Sequence, residues 1–253
     1  MDNEQDKEQA ADASEEIDFD NLEGQELVDL LIEQPELADK CDLSKLSGGE
    51  IVEVLKIAPG LSIRCDLSTL EGYDWADLIE EDPDFAVECD RWDEIPGWAW
   101  ASLLSKRPQF ADKCDVWDEI EGNWWVRLLI AQPQFADKCA NWDTIPGKAD
   151  SIDMDWPALL ASQPQFANKC GKWDEFDGRG WAILLGRQPQ FADKCDWSKL
   201  DGEAWARLLT TRPEFADKCD KWGEIPEKSE RWNTDWSSLL AEQPQLAKYK
   251  LEK

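Results

Sequence analysis

PQFADKC, residues 108–114, decides the fold of this chain because the chain repeats it. Identical copies stand at 133–139 and 189–195, and near copies stand at 35–41, 83–89, 164–170 and 213–219. The prolines that open the repeating units stand at 35, 59, 83, 108, 133, 164, 189, 213 and 244. Successive prolines are 24 or 25 residues apart, except for two spacings of 31. Such a short, fixed period is the signature of a tandem-repeat architecture.

Each unit carries the apolar pattern of a short helix ahead of its proline. A large apolar residue stands eight residues before the proline and an aliphatic pair stands five and four before it, as in Trp181, Leu184 and Leu185. Residues spaced i, i+3 and i+4 share one helix face. The proline predicts a second short helix over PQFADKC, with the lysine in its last turn, where the helix dipole favours a cation. The following WDEIPG or WSKLDG predicts a tight, 3₁₀-like turn.

A single unit of this size cannot bury its apolar face, whereas stacked units share a continuous core. The predicted fold is therefore all-α, a right-handed-type α-solenoid of nine units, each with two short helices and a tight turn. We expect one solenoid domain over 18–253, with a half-unit cap at 18–24 and a C-terminal cap at about 244–253. The long spacings predict insertions at 148–155 and 228–235, and residues 1–17 have the composition of a disordered acidic tail.

The Leu-Leu pair, the proline and the period resemble those of the leucine-rich repeat variant family of bacterial solenoids, over roughly residues 18–250. This resemblance implies short units that alternate an α-helix with a tighter, 3₁₀-like segment. The phrasing LLxxQPQFADKCDW is also similar to that of uncharacterised bacterial repeat proteins that contain tryptophan and cysteine. A member of the variant family carries a cysteine cluster for an iron–sulfur centre, but no stretch of this chain matches it, so the resemblance implies no such cofactor here.

The eight cysteines occupy one repeated position of the unit, at 41, 65, 89, 114, 139, 170, 195 and 219. Packed helices lie about 8–10 Å apart, whereas a disulfide needs Cα atoms within roughly 4.4–6.8 Å. Neighbouring cysteines are therefore expected to remain reduced. The chain has no CxxC pair and no histidine, so the spacing of a tetrahedral zinc site is absent. We expect each thiol to serve as a small buried apolar group.

The charge of the chain indicates which partners it can take. Its 56 acidic and 27 basic residues give a net charge of −29. Such a field repels nucleic-acid phosphates and anionic membranes, so we expect no direct nucleic acid and no membrane partner, and a basic partner is favoured. The alternative is that the charge only keeps the surface solvated. No apolar run approaches ~20 residues, and the acidic N-terminus lacks a signal-peptide pattern, so a cytoplasmic location is expected.

The sequence offers little material for catalysis. It contains no histidine, which excludes Ser-His-Asp and Cys-His machinery. No glycine-rich phosphate loop occurs, and the repeat scatters the carboxylates rather than pairing them. DSIDMD at 150–155 resembles part of a calcium loop but lacks its glycine and distal glutamate. We therefore expect a protein that is not an enzyme and that has no cofactor and no metal.

A candidate binding edge emerges where units depart from their own pattern. Both insertions enter between the glycine position and the core tryptophan, so they are expected to project from one edge, which in solenoids often forms the binding face. The same link carries aromatic residues that the repeat does not require. The predicted partner-binding residues are Tyr73, Trp98, Trp124, Ile152, Met154 and Trp232. The alternative is that these rings fold over neighbouring units as edge packing.

These observations favour a non-catalytic repeat scaffold that binds a protein or peptide, of basic character, through an aromatic edge and an acidic surface. Three alternatives stay open. The chain could mimic a nucleic acid and block a DNA- or RNA-binding protein, it could bind glycans on its tryptophan and tyrosine rings, or it could be a structural spacer. Carboxylates at the spacing of duplex phosphates would distinguish the mimic from the scaffold.

Overall fold

The computed structural model describes residues 18–148, 154–229 and 234–250. Over these ranges the protein is all-α and consists of regularly repeating units of about 25 residues, which contact their neighbours like a solenoid. Each unit is an α-helix followed by 3₁₀ segments. The predicted fold class is thereby confirmed, while the predicted tail at 1–17 lies outside the described residues. None of the described helices is long and apolar enough to cross a membrane.

The elements follow one another in a fixed order. The α-helices are α1 (Gly24–Glu33), α2 (Gly48–Ile57), α3 (Gly72–Glu81), α4 (Gly97–Lys106), α5 (Gly122–Ala131), α6 (Trp156–Ser162), α7 (Gly178–Arg187), α8 (Gly202–Thr211), α9 (Trp236–Glu242) and α10 (Ala247–Lys250). The proline-led 3₁₀ segments are Pro35–Lys40, Pro59–Arg64, Pro83–Val87, Pro108–Lys113, Pro133–Lys138, Pro164–Lys169, Pro189–Lys194, Pro213–Lys218 and Pro244–Leu246. The short 3₁₀ turns are Leu43–Lys45, Leu67–Thr69, Trp92–Glu94, Trp117–Glu119, Trp142–Thr144, Trp173–Glu175, Trp197–Lys199 and Trp222–Glu224.

The segment after each proline is a 3₁₀-helix, not an α-helix. Steric conflict with the proline ring drives the preceding residue out of the helical region, as at Arg107 (φ −125°, ψ 65°). The chain restarts there with a bond from the Phe110 N–H to the Arg107 carbonyl at 3.2 Å. Extended backbone resumes at Cys114, so only six residues are available. A stretch this short between two non-helical residues favours i→i+3 bonding.

The core is a column of tryptophans and leucines along the array. The tryptophan eight residues before the proline is at most 2 % exposed in every unit that has one: Trp75, Trp100, Trp125, Trp156, Trp181, Trp205 and Trp236. Leu27 and Ile51 fill the same place in the first two units. Each α-helix from α1 to α8 packs on the next, so the core is continuous from unit to unit. The predicted core positions are confirmed.

The tryptophan of each short turn contacts side chains of the unit that follows. Trp117 stacks on Trp125 with centroids 6.0 Å apart, and its ring lies 5.4 Å from the Phe135 ring. The Lys138 ammonium lies 5.6 Å from the same tryptophan ring. Lysines 113, 169 and 194 repeat this cation–π contact on Trp92, Trp142 and Trp173. The lysine before the cysteine therefore binds the preceding unit, a contact that sequence spacing did not predict.

A second inter-unit contact involves the residue before the proline. The side-chain amide of Gln188 donates to the Ala161 carbonyl in the last turn of α6, at 3.0 Å. Arg107 does the same with two nitrogens, which donate to the Glu80 and Glu81 carbonyls at 2.9 Å each. Equivalent bonds come from Gln132, Gln163, Arg212 and Gln243. The last carbonyls of a helix have no partner within it, so each unit satisfies one end of its predecessor.

Both insertions leave the stack undisturbed. In a regular unit the Trp100 N–H donates to the Pro96 carbonyl at 3.0 Å, and in the inserted units Trp156 and Trp236 make the same bond to Pro146 and Pro226, at 2.9 Å each. The extra residues therefore loop out between two points that keep their normal separation. Helices α6 and α9 begin at the tryptophan and are capped by the carboxylates of Asp155 and Asp235.

Candidate functional site

Three of the predicted binding residues lie together in a row. We call Tyr73, Trp98 and Trp124, in the first turns of α3, α4 and α5, the ring row. Tyr73 stacks on Trp98 with centroids 6.3 Å apart and planes at 27°, and Trp98 contacts Trp124 at 6.1 Å and 40°. The helix starts come this close because each unit has a glycine there: a Cβ on Gly97 would lie 2.5 Å from the Glu119 carbonyl oxygen.

The ring row is partly exposed, unlike the core tryptophans beside it. Tyr73 is 43 % exposed and Trp98 is 45 % exposed, whereas Trp100, two residues further on, is fully buried. Trp124 is half-buried and lies against the core. The guanidinium of Arg127 lies 5.9 Å from the Trp124 ring centre. The rings therefore pack on one another, as the edge-packing alternative expected, and they also leave a large apolar surface in contact with water.

The remaining predicted residues are not joined to this row by any described contact. Met154 is half-buried and stands two residues before Trp156, the register that Trp98 occupies in its own unit. Ile152 and Trp232 lie outside the described residues, so their part of the predicted stripe stays a prediction. The site that the structure assembles is the ring row, at the third, fourth and fifth units.

A groove of about 180 Å³ runs between α3 and α4 beneath the first two rings. It is lined by Tyr73, Ala76, Asp77, Glu80, Trp98, Ala99 and Ser102. Rings form one part of its wall and carboxylates another. Sequence reasoning missed the carboxylates, although a signal existed: Asp77 and Glu80 lie two and five residues after the core Trp75, on the outward side of an amphipathic helix.

The two carboxylates of the groove differ in environment. Asp77 is half exposed and pairs with the Lys56 ammonium at 2.7 Å. The Glu80 side chain is 11 % exposed, accepts from the Ser102 hydroxyl at 2.6 Å and pairs with Lys106 at 2.7 Å. Burial raises the pKa of Glu80, but the hydrogen bonds from Lys106 and Ser102 outweigh that effect and hold its pKa below the ordinary value. Glu80 therefore carries its negative charge at neutral pH.

The acidic charge is concentrated on the units that bear the exposed rings. Residues 18–96 hold 23 acidic and 5 basic side chains, whereas residues 97–253 hold 26 acidic and 21 basic ones. Tyr73 lies within the acidic part and Trp98 stands at its border. The pKa of the Tyr73 hydroxyl is raised by the negative charges of Asp74 and Glu71. A cation that approaches these rings enters a strongly negative field.

Two other exposed apolar side chains lie on the same acidic units but apart from the α-helices. Ile63 is 90 % exposed and Val87 is 91 % exposed, each on a proline-led 3₁₀ segment. They stand where other units have a polar residue, such as Asp112 or Asn168. No described ring contacts them, and neither lines a described groove. They serve below as a matched control for the ring row.

The cysteines are free thiols in a protected setting. All eight fall within the described ranges, and none is bonded to another. Burial raises the pKa of every one of these thiols, to about 12 for Cys114 and Cys195 and to about 11 for Cys139, Cys170 and Cys219. A thiol with a raised pKa is a poor nucleophile at neutral pH, so the cysteines offer no reactive centre. In the described ranges no three histidine, cysteine or acidic side chains are placed to hold a metal ion.

Comparisons with known proteins give no relative for this chain. No family model matches it, and neither the curated proteins nor the solved structures include a match. A regular helical repeat of about 25 residues, rich in tryptophan, is therefore what sequence and structure establish.

Proposed function

We propose that this protein is a non-catalytic repeat scaffold that binds a basic protein or peptide through the ring row and the acidic surface around it. The observation that carries the proposal is the half-exposure of Tyr73 and Trp98. Large aromatic side chains within a polar rim are the residues that most often anchor protein interfaces.

The repeat does not require rings at these positions. The residue two before the core position is Gln25 in the first unit, Gly49 in the second, Asn123 in the fifth, Arg179 in the seventh and Glu203 in the eighth. The helices of these units are ten residues long, as α3 and α4 are. Tyr73 and Trp98 are therefore additions to a unit that folds without them, which supports a role outside the fold.

The charge distribution supports a basic partner. Residues 18–96 carry a net charge of −18 and residues 97–253 a net charge of −5. Charge of one sign steers an oppositely charged partner towards its surface and raises the association rate, while desolvated aromatic contacts slow dissociation. The combination predicts an association rate that falls with salt and a dissociation rate that depends on the rings.

Nucleic-acid mimicry is the second candidate, and the same acidic concentration on residues 18–96 favours it. A mimic would bind its target through carboxylates and would leave the rings without a part in binding. The two candidates therefore differ in what happens when the rings are removed and the charge is kept.

The test is affinity capture from an extract of the protein's own cells, followed by mass spectrometry of the retained proteins. The bait is the full chain, compared with a Tyr73→Gln/Trp98→Gln variant, because glutamine holds this position in the first unit. The matched control is Ile63→Asn/Val87→Asn, which removes two exposed apolar side chains without a change in charge. We expect basic proteins retained by the parent and the control but lost from the ring variant. Equal retention by all three, abolished by moderate salt, would favour mimicry over the scaffold.

We also infer a kinship with the leucine-rich repeat variant solenoids. Its support is the alternation of one α-helix with 3₁₀ segments in each short unit, which is the architecture that the resemblance implied. An experimental structure that superposes the stacked units of this chain on those of a variant-family solenoid would test it, and a different stacking geometry would contradict it.

A further inference from the structure

We propose that the groove between α3 and α4 takes an arginine side chain of the partner, with its guanidinium against Tyr73 and Trp98 and hydrogen-bonded to Asp77. The inference rests on the proposed function and specifies the chemistry by which it is carried out. It depends on three features of the described residues: rings without a cation, a carboxylate with a free oxygen, and an open approach.

The protein itself shows that cations bind its surface rings. Arg127 lies over Trp124, the third member of the ring row, and lysines lie over the turn tryptophans at 4.8 to 5.9 Å. By contrast, no lysine or arginine of the described ranges is placed over Tyr73 or Trp98. These two rings are thus an unfilled version of a contact that the array makes repeatedly. Arginine favours such sites because its flat, weakly hydrated cation stacks on aromatic faces.

The carboxylates of the groove can bind the donors of a guanidinium. Asp77 uses one oxygen, Oδ2, for Lys56, and its Oδ1 has no hydrogen-bond partner among the described residues. Glu80 lies deeper and is already bonded to Ser102 and Lys106, so it contributes charge rather than a free acceptor. A guanidinium offers several N–H groups in one plane, so it can stack on a ring and donate sideways to Asp77 at once. An ammonium is a compact, strongly hydrated charge and cannot combine the two contacts in this way.

The approach to Tyr73 is open on the side of the second unit. Gly49 occupies the register of Tyr73 in that unit, and a Cβ on Gly49 would have nothing within 4 Å. On the other side, Arg127 already fills the equivalent place beside Trp124. The described ring row therefore has one vacant position for a cation, and the inference predicts one dominant arginine contact rather than a series along the array.

The test measures the affinity of the full chain for two labelled peptides by fluorescence anisotropy at fixed salt. One peptide is lysine-rich, and the other is identical except that one central lysine is arginine. The proteins are the parent, Trp98→Gln, Asp77→Asn and the control Val87→Asn, each checked for unchanged helicity. A cation–π contact of ordinary strength predicts that the parent prefers the arginine peptide by about threefold to thirtyfold. The preference should disappear in Trp98→Gln, shrink in Asp77→Asn and persist in Val87→Asn.

The outcomes separate this inference from the proposed function. Equal binding of both peptides by the parent, or an arginine preference that survives Trp98→Gln, would overturn the arginine groove while basic-peptide binding still stood. If neither peptide bound the parent, the scaffold for basic partners and the groove would both be rejected. Asp77→Asn keeps the test decisive if the tryptophan variant is poorly folded.

Discussion

Replacement of Gly97 by alanine should weaken the array, although alanine is the better helix former. Gly97 is the first residue of α4, and the short turn Trp117–Glu119 of the following unit lies against it. An added Cβ would lie 2.5 Å from the Glu119 carbonyl oxygen, 2.6 Å from its carbon and 2.9 Å from the Ile120 nitrogen. Ordinary contacts of a Cβ are 3.4–4 Å. The obstacle is backbone, so the following unit must retreat by about 1 Å from a close-packed interface.

The size of the effect follows from two opposing contributions. Alanine gains up to about 1 kcal/mol over glycine inside a helix. Overpacking of a tight interface costs about 1–3 kcal/mol, and more where backbone must move. We therefore expect Gly97→Ala to lower the free energy of unfolding by about 2 kcal/mol. Gly49→Ala is the matched control: it lies in the first turn of α2 with nothing within 4 Å of the new Cβ, so it should raise stability by about 0.5–1 kcal/mol.

The assay is urea denaturation of both variants and the parent, followed by far-ultraviolet circular dichroism and tryptophan fluorescence. The reasoning predicts shifts of opposite sign for the two glycine-to-alanine changes. If Gly97→Ala were as stable as Gly49→Ala, the close approach between units would not constrain this position, and the account of how the units stack would be refuted.

Two further predictions concern contacts between units and the thiols. Gln188→Ala removes the bond to the Ala161 carbonyl and should cost about 1 kcal/mol, whereas Ala58→Gln supplies that side chain to the second unit and should stabilise the array by a similar amount; urea midpoints measure both, and a stabilising Gln188→Ala would contradict the assignment. Native protein should react slowly with a thiol reagent, and denatured protein should yield eight thiols. Because the pKa of Cys114 is about 12 in the folded state and near 9 when exposed, the unfolded chain loses this proton first, so stability should fall as pH rises from about 9 towards 12. Cys114→Ala should make that decline shallower, and an unchanged slope would count against burial of this thiol.

The fold was predictable because its causes are local and repeated. The period, the Trp-Leu-Leu face and the proline each act within one unit, so the helix starts, the buried tryptophans and the short turns follow from the sequence. The proline-led segment was predicted as a second helix, and the structure shows a 3₁₀-helix because only six residues separate the proline from the extended backbone at the cysteine. Local patterns indicated a tight segment but did not determine its hydrogen bonding.

Contacts between units were harder to predict from the chain. Lys138 over Trp117 and Gln188 on the Ala161 carbonyl join residues 21 and 27 positions apart, and their meaning depends on how units stack. The same holds for the candidate site. The aromatic departures from the repeat identified the ring row, but the groove required the distance between α3 and α4, which placed Asp77 beside the rings.

The central claim is that the exposed rings are held for a partner and not for the fold. The most direct test compares the unfolding free energies of Trp98→Gln and Trp100→Ala, which change neighbouring residues of one helix turn. Trp100 is fully buried, so its loss should cost about 3–5 kcal/mol. Trp98 is half exposed and stacks on two rings, so its loss should cost about 1–2 kcal/mol. Equal losses would show that Trp98 is part of the core and would contradict the account.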